Sequence, residues 1–102
     1  MEFNHFLSSY FPDPNYGGSR LFSDMLEQAQ TAERLCYHGV TIPEHHLINI
    51  LLTPSPLQMA VKVATLTERI EVVTSVAVLP IRDMRVFAGE VAQADILTDG
   101  RL

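Results

Sequence analysis

Hydrophobic and polar positions follow two different periods along the first half of the chain. Residues 3–7 and 40–42 are short runs of apolar or β-branched side chains, which predict two strands. Between them, apolar residues from 22 to 36 recur at spacings of three and four, which predicts a helix that Ser19 is expected to cap. Residues 12–18 contain Pro, Gly and Asn and predict a loop between the first strand and this helix.

The second half repeats this alternation of helix and strand. Ser55 is expected to cap a second helix, with Pro56 at the first helical position and Gln58 completing a capping box. Residues 70–79 predict a third strand that is apolar on both faces, as in parallel sheets covered by helices. Asp83 is expected to cap a third helix. The expected buried positions are Leu57, Ala60, Val61 and Ala64 in the second helix, and Val86, Phe87, Val91 and Ala94 in the third.

The order of predicted elements is β-α-β-α-β-α, which implies right-handed crossovers and a parallel sheet. A flavodoxin-like or Rossmann sheet would have a Gly-rich turn directly after its first strand, whereas Gly17 and Gly18 lie about ten residues later. The competing architecture is a (β/α)8 TIM barrel, which has eight such units in about 250 residues. We therefore expect residues 1–102 to form a partial α/β domain with a parallel sheet, the N-terminal three βα units of a TIM barrel.

Composition and charge narrow the possible function classes. The chain has 102 residues and a net charge of −5, and its seven basic residues are scattered rather than clustered as nucleic-acid binding requires. No apolar run reaches the roughly 18 residues of a membrane span, and the N-terminus lacks the pattern of a signal peptide. The single cysteine, Cys36, cannot form an internal disulfide. These features favour a cytoplasmic protein without a nucleic-acid or membrane partner.

Candidate chemistry lies where the predicted strands end, because reactive groups of parallel α/β folds gather at the carboxyl ends of strands. Glu44, His45 and His46 directly follow the second strand. Neighbours in an extended segment alternate sides, so His45 would face a pocket while Glu44 and His46 brace the loop. A neutral histidine there would act as a general base or hold an oxygen adduct by hydrogen bonding. The competing interpretation is a pair of solvated loop histidines.

A metal-dependent barrel hydrolase is a second functional interpretation of the same histidines. His45 and His46 would bind the metal ion, with His5 as a third ligand. Two adjacent histidines in a strand do not easily bind one ion, so we expect no metal. Further candidates at strand ends are Thr74, Ser75 and Val76 late in the third strand, and Tyr10 after the first.

Five segments, in order along the chain, resemble motifs of the bacterial luciferase-like flavin-dependent monooxygenases. They are residues 32–40 (AERLCYHGV), 43–46 (PEHH), 78–80 (VLP), 88–92 (AGEVA) and 95–102 (DILTDGRL). The resemblance covers nearly the whole chain, and the order of the motifs is more specific than any one of them. It implies a TIM-barrel oxidoreductase that uses FMN, or the related deazaflavin coenzyme, to act on a small organic substrate, most simply as a monooxygenase.

The resemblance also implies roles for particular residues and partners. The implied site residues are the catalytic His45, the cofactor-binding Thr74, Ser75 and Val76, and the pocket-lining Glu44, His46 and Tyr10. A non-proline cis peptide bond between Ser75 and Val76 is implied as well. The implied protein partners are a flavin reductase and further copies of the chain in a homo-oligomer. The alternatives are the metal-dependent hydrolase and a non-catalytic fragment.

Three residues depart from the family pattern. Cys36 stands where the family has Gly, at a helix end that favours a left-handed residue, and costs about 1 kcal/mol if the backbone is unchanged. His38 replaces the usual Asp, which puts a capping or ion-pair role there in question, and Gly89 replaces the common Ala. Glu33 and Arg101 are interpreted as structural residues.

Overall fold

The computed structural model describes all 102 residues and contains strands and helices in strict alternation. The elements are β1 (Asn4–Phe6), α1 (Gly18–Arg34), β2 (Gly39–Ile42), α2 (Pro56–Ala64), β3 (Glu71–Thr74) and α3 (Met84–Leu97), with short 3-10 turns at Pro14–Tyr16 and Leu79–Ile81. The strands pair in the order β1-β2-β3, and both pairings are parallel. This confirms the predicted α/β fold with a parallel sheet. None of the helices is both long and apolar enough to cross a bilayer.

One face of the sheet, the helix-facing side, packs against α1 and α2. The strand register places His5, Val40 and Val72 in one row on this side, and Val40 and Val72 are buried. The core consists of Leu7, Val40, Ile42, Ile70 and Val72 in or beside the strands, Leu21, Met25, Ala29 and Ala32 of α1, and Met59, Ala60 and Val63 of α2. Burial of each large aliphatic side chain contributes about 1.5–3 kcal/mol, so this layer is the main source of stability.

The opposite face of the sheet, the inner face, is open. Phe6, Thr41 and Val73 form a row on it, and Phe6 and Val73 remain 50% and 41% exposed. The prediction of a third strand buried on both faces is therefore wrong for this chain. Three strands form an open sheet, whereas a closed barrel covers the same face with side chains from its other strands.

The first residues and caps of the helices agree only in part with those predicted from the sequence. The predicted Ser19 cap is wrong, because α1 already begins at Gly18 after Gly17, whose φ of 86° turns the chain. Ser55 and Pro56 do begin α2, but the Ser55 side chain makes no capping hydrogen bond, so the capping box does not form. Asp83 caps α3 as predicted, accepting a hydrogen bond from the N–H of Arg85 at 3.0 Å.

The buried face of α2 is rotated from the predicted one, and the buried face of α3 is narrower than predicted. Leu57 and Val61 are only half-buried because they border the groove between α2 and α3, and Met59 and Val63 occupy the core instead. In α3, Phe87 and Ala94 are buried, while Val86 is exposed and Val91 half-buried. The reason is that α3 packs mainly against one element, α2, which covers only a narrow stripe of the helix.

Glu33 connects the end of α1 to the start of β3. Its carboxylate accepts hydrogen bonds from the backbone N–H groups of Glu68 (2.9 Å), Arg69 (2.8 Å) and Ile70 (3.0 Å). Burial alone would raise the pKa of Glu33, but these donors together lower it below its ordinary value. The structural interpretation of Glu33 is thereby confirmed.

Arg101 ties the end of the chain to the end of α2. Its guanidinium donates to the Ala64 carbonyl at 2.8 Å and to the Thr67 hydroxyl at 3.0 Å. The structural interpretation of this residue is confirmed as well. His38 Nε2 lies 3.0 Å from the Glu71 carboxylate, so the residue at this position still contacts a side chain of opposite type although the usual Asp is absent.

Cys36 has a φ of 62°, in the left-handed region that favours glycine. We predict that Cys36→Gly stabilises the protein, by about 1 kcal/mol or less, because removal of the Cβ relieves a steric cost that exceeds glycine's extra unfolded-state entropy. Urea denaturation of the two proteins measures this difference. Cys36→Ala is the control, since it removes the thiol and keeps the Cβ. An equal gain in Cys36→Ala would contradict the backbone explanation.

The open inner face predicts self-association of residues 1–102 expressed alone. Exposed apolar faces and unpaired strand edges favour contacts between chains. We expect light scattering to give a mass above that of a monomer, and Val73→Lys on the inner face to lower it. Ile96→Lys, at an exposed apolar position on α3, is the matched control and should leave the mass unchanged. A monomer at all concentrations would refute this expectation.

Candidate active site

Three segments converge at the carboxyl ends of the parallel strands. They are the loop after β1 (residues 7–17), the loop after β2 (residues 43–55) and the segment after β3 (residues 75–83). The parallel pairing places all three at one edge of the sheet, where α/β folds collect their reactive groups. All the predicted site residues except Thr74, the last residue of β3, lie in these segments.

The loops after β1 and β2 are joined by backbone hydrogen bonds. Tyr10 and Leu51 form an isolated antiparallel bridge, flanked by bonds from Phe11 N–H to the Ile50 carbonyl (2.7 Å) and from Leu52 N–H to the Ser9 carbonyl (3.2 Å). The Tyr10 side chain is exposed. Tyr10 therefore lies at the rim of the site on a backbone that is fixed from both sides.

The Glu44 carboxylate is the most buried polar group of the site, with a side chain that is 0% exposed. It accepts hydrogen bonds from Arg82 Nη2 (2.5 Å), from His46 Nε2 (2.5 Å) and from the backbone N–H of Val78 (2.8 Å). Burial alone would raise the pKa of Glu44, but the bonds from Arg82, His46 and Val78 together lower it to about 2. Glu44 is therefore a carboxylate, and its contact with His46 confirms that these two residues lie on the same side of the extended segment.

Arg82 is the member of this group that the sequence analysis missed. Its guanidinium lies 4.6 Å from the centre of the Phe87 ring and is nearly covered, with 19% of the side chain exposed. Phe87 is itself buried on α3. The available signal was a carboxylate directly after a buried strand, because a buried charge requires a nearby opposite charge. Arg82 is the one basic residue between β3 and the Asp83 cap.

His45 differs from its two neighbours in having a free side chain. Its backbone N–H donates to the Thr53 carbonyl at 2.9 Å, which closes the loop after β2, while its ring makes no hydrogen bond within the protein. The ring is half-buried in an open depression that Phe22, Leu52 and Pro54 also line. An imidazole placed in this way is available to a ligand as a hydrogen-bond donor or acceptor.

The segment after β3 begins with the cis peptide bond between Ser75 and Val76 that the resemblance implied. The N–H of Ser75 donates to the Ile42 carbonyl at 2.7 Å, and both Ser75 and Val76 are exposed. Thr74 is half-buried and, by alternation from buried Val72, lies on the helix-facing side. Of the three predicted cofactor contacts, Ser75 and Val76 are thus the two that solvent reaches freely.

His5, the third ligand of the hydrolase alternative, is not near His45 and His46. Its ring lies on the helix-facing side, where Nε2 is 3.1 Å from the Gln28 amide oxygen and the ring stands edge-on to Tyr37. No three histidine, cysteine or acidic side chains of the chain converge as metal ligands would. The arrangement that a three-ligand metal site requires is therefore not formed by these residues.

Comparisons with known proteins agree on one family. The family model for luciferase-like monooxygenases matches residues 1–102. The oxygenase component of the flavin-dependent trigonelline monooxygenase of Acinetobacter baylyi is 32% identical over 83 residues, which is 81% of this chain and 23% of that protein.

Two solved structures have the same fold over the whole chain. Monooxygenase RslO1 from Streptomyces bottropensis superposes with a TM-score of 0.93 at 25% identity, covering 100% of this chain and 31% of that one. The oxygenating constituent of 3,6-diketocamphane monooxygenase from Pseudomonas putida, a type II Baeyer–Villiger monooxygenase in complex with FMN, superposes at 0.88 and 20% identity, covering 99% and 28%. The chain thus spans 23% to 31% of the lengths of these proteins.

The depressed pKa of Glu44 predicts an acid-dependent loss of stability. The stability that its charge contributes, on the order of 3 kcal/mol, is fully present above the ordinary pKa of 4.5 and is lost as the pH falls through the folded pKa of about 2. Glu44→Gln should therefore be less stable at pH 7 and should lose less stability between pH 5 and pH 2.

Urea denaturation at intervals between pH 7 and pH 2 measures this difference. Glu27→Gln is the control, because Glu27 is an exposed carboxylate on α1 that makes no side-chain hydrogen bond. An unchanged pH dependence in Glu44→Gln would refute the assignment of this acid response to Glu44.

Proposed function

Because this chain belongs to the luciferase-like monooxygenase family, we propose that it forms one wall of the active site of a flavin-dependent monooxygenase. The observation that carries the proposal is that His45 and the residues Ser75 and Val76 follow two neighbouring parallel strands, at the sheet edge where α/β folds collect their reactive groups. The His45 ring makes no hydrogen bond within the protein, Ser75 and Val76 are exposed, and the inner face of the sheet is open and apolar.

The exposed inner face fits a flavin in its chemistry. Phe6 and Val73 present apolar surface beside the strand ends, and Val76, which is 65% exposed, lies three residues after Val73. Cofactor sites are mostly apolar with a few polar groups that fix orientation, and here Ser75 supplies a hydroxyl next to the apolar surface. Thr74 would contribute through its backbone, because its side chain lies on the helix-facing side. The FMN complex of one structural neighbour favours FMN over a deazaflavin coenzyme for this protein as well.

His45 is the proposed proton-transfer residue. A bound flavin would supply the redox chemistry, whereas the protein orients the reactants and excludes water from them. The His45 ring can accept a proton from the substrate or donate a hydrogen bond to a developing negative charge, because its nitrogens make no hydrogen bond within the protein. His46 is committed to Glu44 and is therefore suited to holding the loop rather than to chemistry.

The proposed substrate is a small organic molecule that enters past the rim formed by the loops after β1 and β2. Tyr10 on one loop and His46 on the other are the proposed pocket-lining residues. One relative is named as an oxygenase component, which is one part of a larger system. This supports a separate flavin reductase as the electron donor for this protein.

We predict that His45→Ala in the intact protein lowers turnover at least tenfold while FMN still binds, in line with a contribution of roughly 100-fold or more from general-base catalysis. The comparison variant is His46→Gln, which keeps a hydrogen-bond donor for Glu44 and should lower turnover less than His45→Ala does. Turnover is measured as substrate oxidation with reduced FMN, and FMN binding by fluorescence quenching. Equal losses in the two variants would overturn the assignment of His45. A protein that binds a metal and no flavin would favour the hydrolase instead.

A further inference from the structure

We propose that Glu44 and Arg82 form a positioning pair that fixes the cofactor-contacting segment after β3 relative to His45. The inference rests on the proposed function, because it assigns the two loops to one active site. It gives Glu44 a role different from the pocket-lining one implied by the family resemblance. Neither residue of the pair is expected to contact the substrate.

The burial of Glu44 excludes direct contact with a ligand. Its side chain has no exposed surface, and its two oxygens already accept three hydrogen bonds from the protein. A carboxylate in this state holds other groups in place. Two segments of the chain supply its donors: His46 lies in the loop after β2, and Val78 and Arg82 lie in the segment after β3.

The segment after β3 has almost no other attachment. Between Val76 and Ile81, the one hydrogen bond to another segment runs from the Val78 N–H to Glu44 Oε2. On one side the segment begins at Ser75, which is bonded to the Ile42 carbonyl. On the other side it ends at Arg82, which is bonded to the same carboxylate. The position of Val76 therefore depends on Glu44 through both of its downstream contacts.

Arg82 supplies the charge that allows Glu44 to stay buried. A carboxylate without a partner in this place would be strongly unfavourable, and removing one member of a buried pair leaves the other uncompensated. The stacking of Arg82 on Phe87 extends the connection to α3. Because Glu44 is the residue immediately before His45, one interaction sets the geometry of both proposed functional groups.

The test compares Glu44→Gln, Arg82→Met and the double variant in the intact holoenzyme. We expect each single change to raise the FMN dissociation constant about tenfold or more and to lower kcat. The double variant should be no worse than either single one, because the two residues act as a unit. Hydrogen–deuterium exchange should rise in peptides covering residues 75–82 and 44–54, and Arg82→Lys should recover part of the FMN affinity.

Glu33→Gln is the matched control. Glu33 also accepts hydrogen bonds from three groups, all of them backbone N–H groups, but at the opposite end of the sheet. It should lower stability and leave FMN affinity and exchange at residues 75–82 unchanged. If Glu44→Gln behaves like Glu33→Gln, the pair is merely structural and the proposal is wrong. If Glu44→Gln does not fold, the Arg82 variants decide the question by the same measurements.

The two proposals fail in different ways. A wild-type protein that binds no FMN would overturn the proposed function and, with it, the cofactor role of the segment. Exchange at residues 75–82 would still show whether Glu44 and Arg82 hold that segment. Normal FMN binding together with unchanged exchange in both single variants would overturn only the positioning pair.

Discussion

Two carboxylates fix the third strand, one at each of its ends, and the arrangement of the functional edge depends on the second of them, Glu44. Glu33 at the end of α1 accepts the N–H groups of residues 68–70 just before β3, and Glu44 at the end of β2 accepts the N–H of Val78 just after it. Glu33 belongs to the first βα unit and Glu44 to the second. The third strand is thus placed by charge-assisted hydrogen bonds as well as by the sheet ladder, and these bonds are stronger than neutral ones.

The two faces of the sheet have separate tasks. The helix-facing side carries nearly all of the buried aliphatic residues and supplies the stability that hydrophobic burial gives. The inner face leaves apolar surface open beside the strand ends, where the flavin is proposed to lie. Strand alternation separates the tasks, since neighbouring residues point to opposite faces. Phe6 and Val73 on the inner face can therefore change without disturbing the core residues Leu7 and Val72.

The sequence predicted the features that depend on local structure and missed those that depend on packing. The order of elements follows from periodicity, and the Asp83 cap follows from the demands of a single helix start. The Ser19 cap and the capping box at Ser55 failed because the preceding chain sets the entry into each helix.

Long-range contacts account for the other differences. Arg82 could not be identified as the partner of Glu44, because 38 residues separate them and only the fold brings them together. The inner face of β3 was expected to be covered because its residues are apolar, yet side-chain polarity cannot tell which neighbours are present to cover them. The resemblance in motif order, rather than any physical pattern, pointed to the cis bond and to His45.

The closure of the loop after β2 has a consequence for how this site can be altered. The hydrogen bond from the His45 N–H to the Thr53 carbonyl closes the base of the loop. The bridge between Tyr10 and Leu51 holds the later part of the loop against the loop after β1. Between these anchors, residues 46–50 form a tip that is exposed throughout. A tip exchanged for that of a relative would leave both anchors and the start of α2 in place. The fold thus allows this loop tip to be exchanged while His45, the proposed proton-transfer residue, keeps its position.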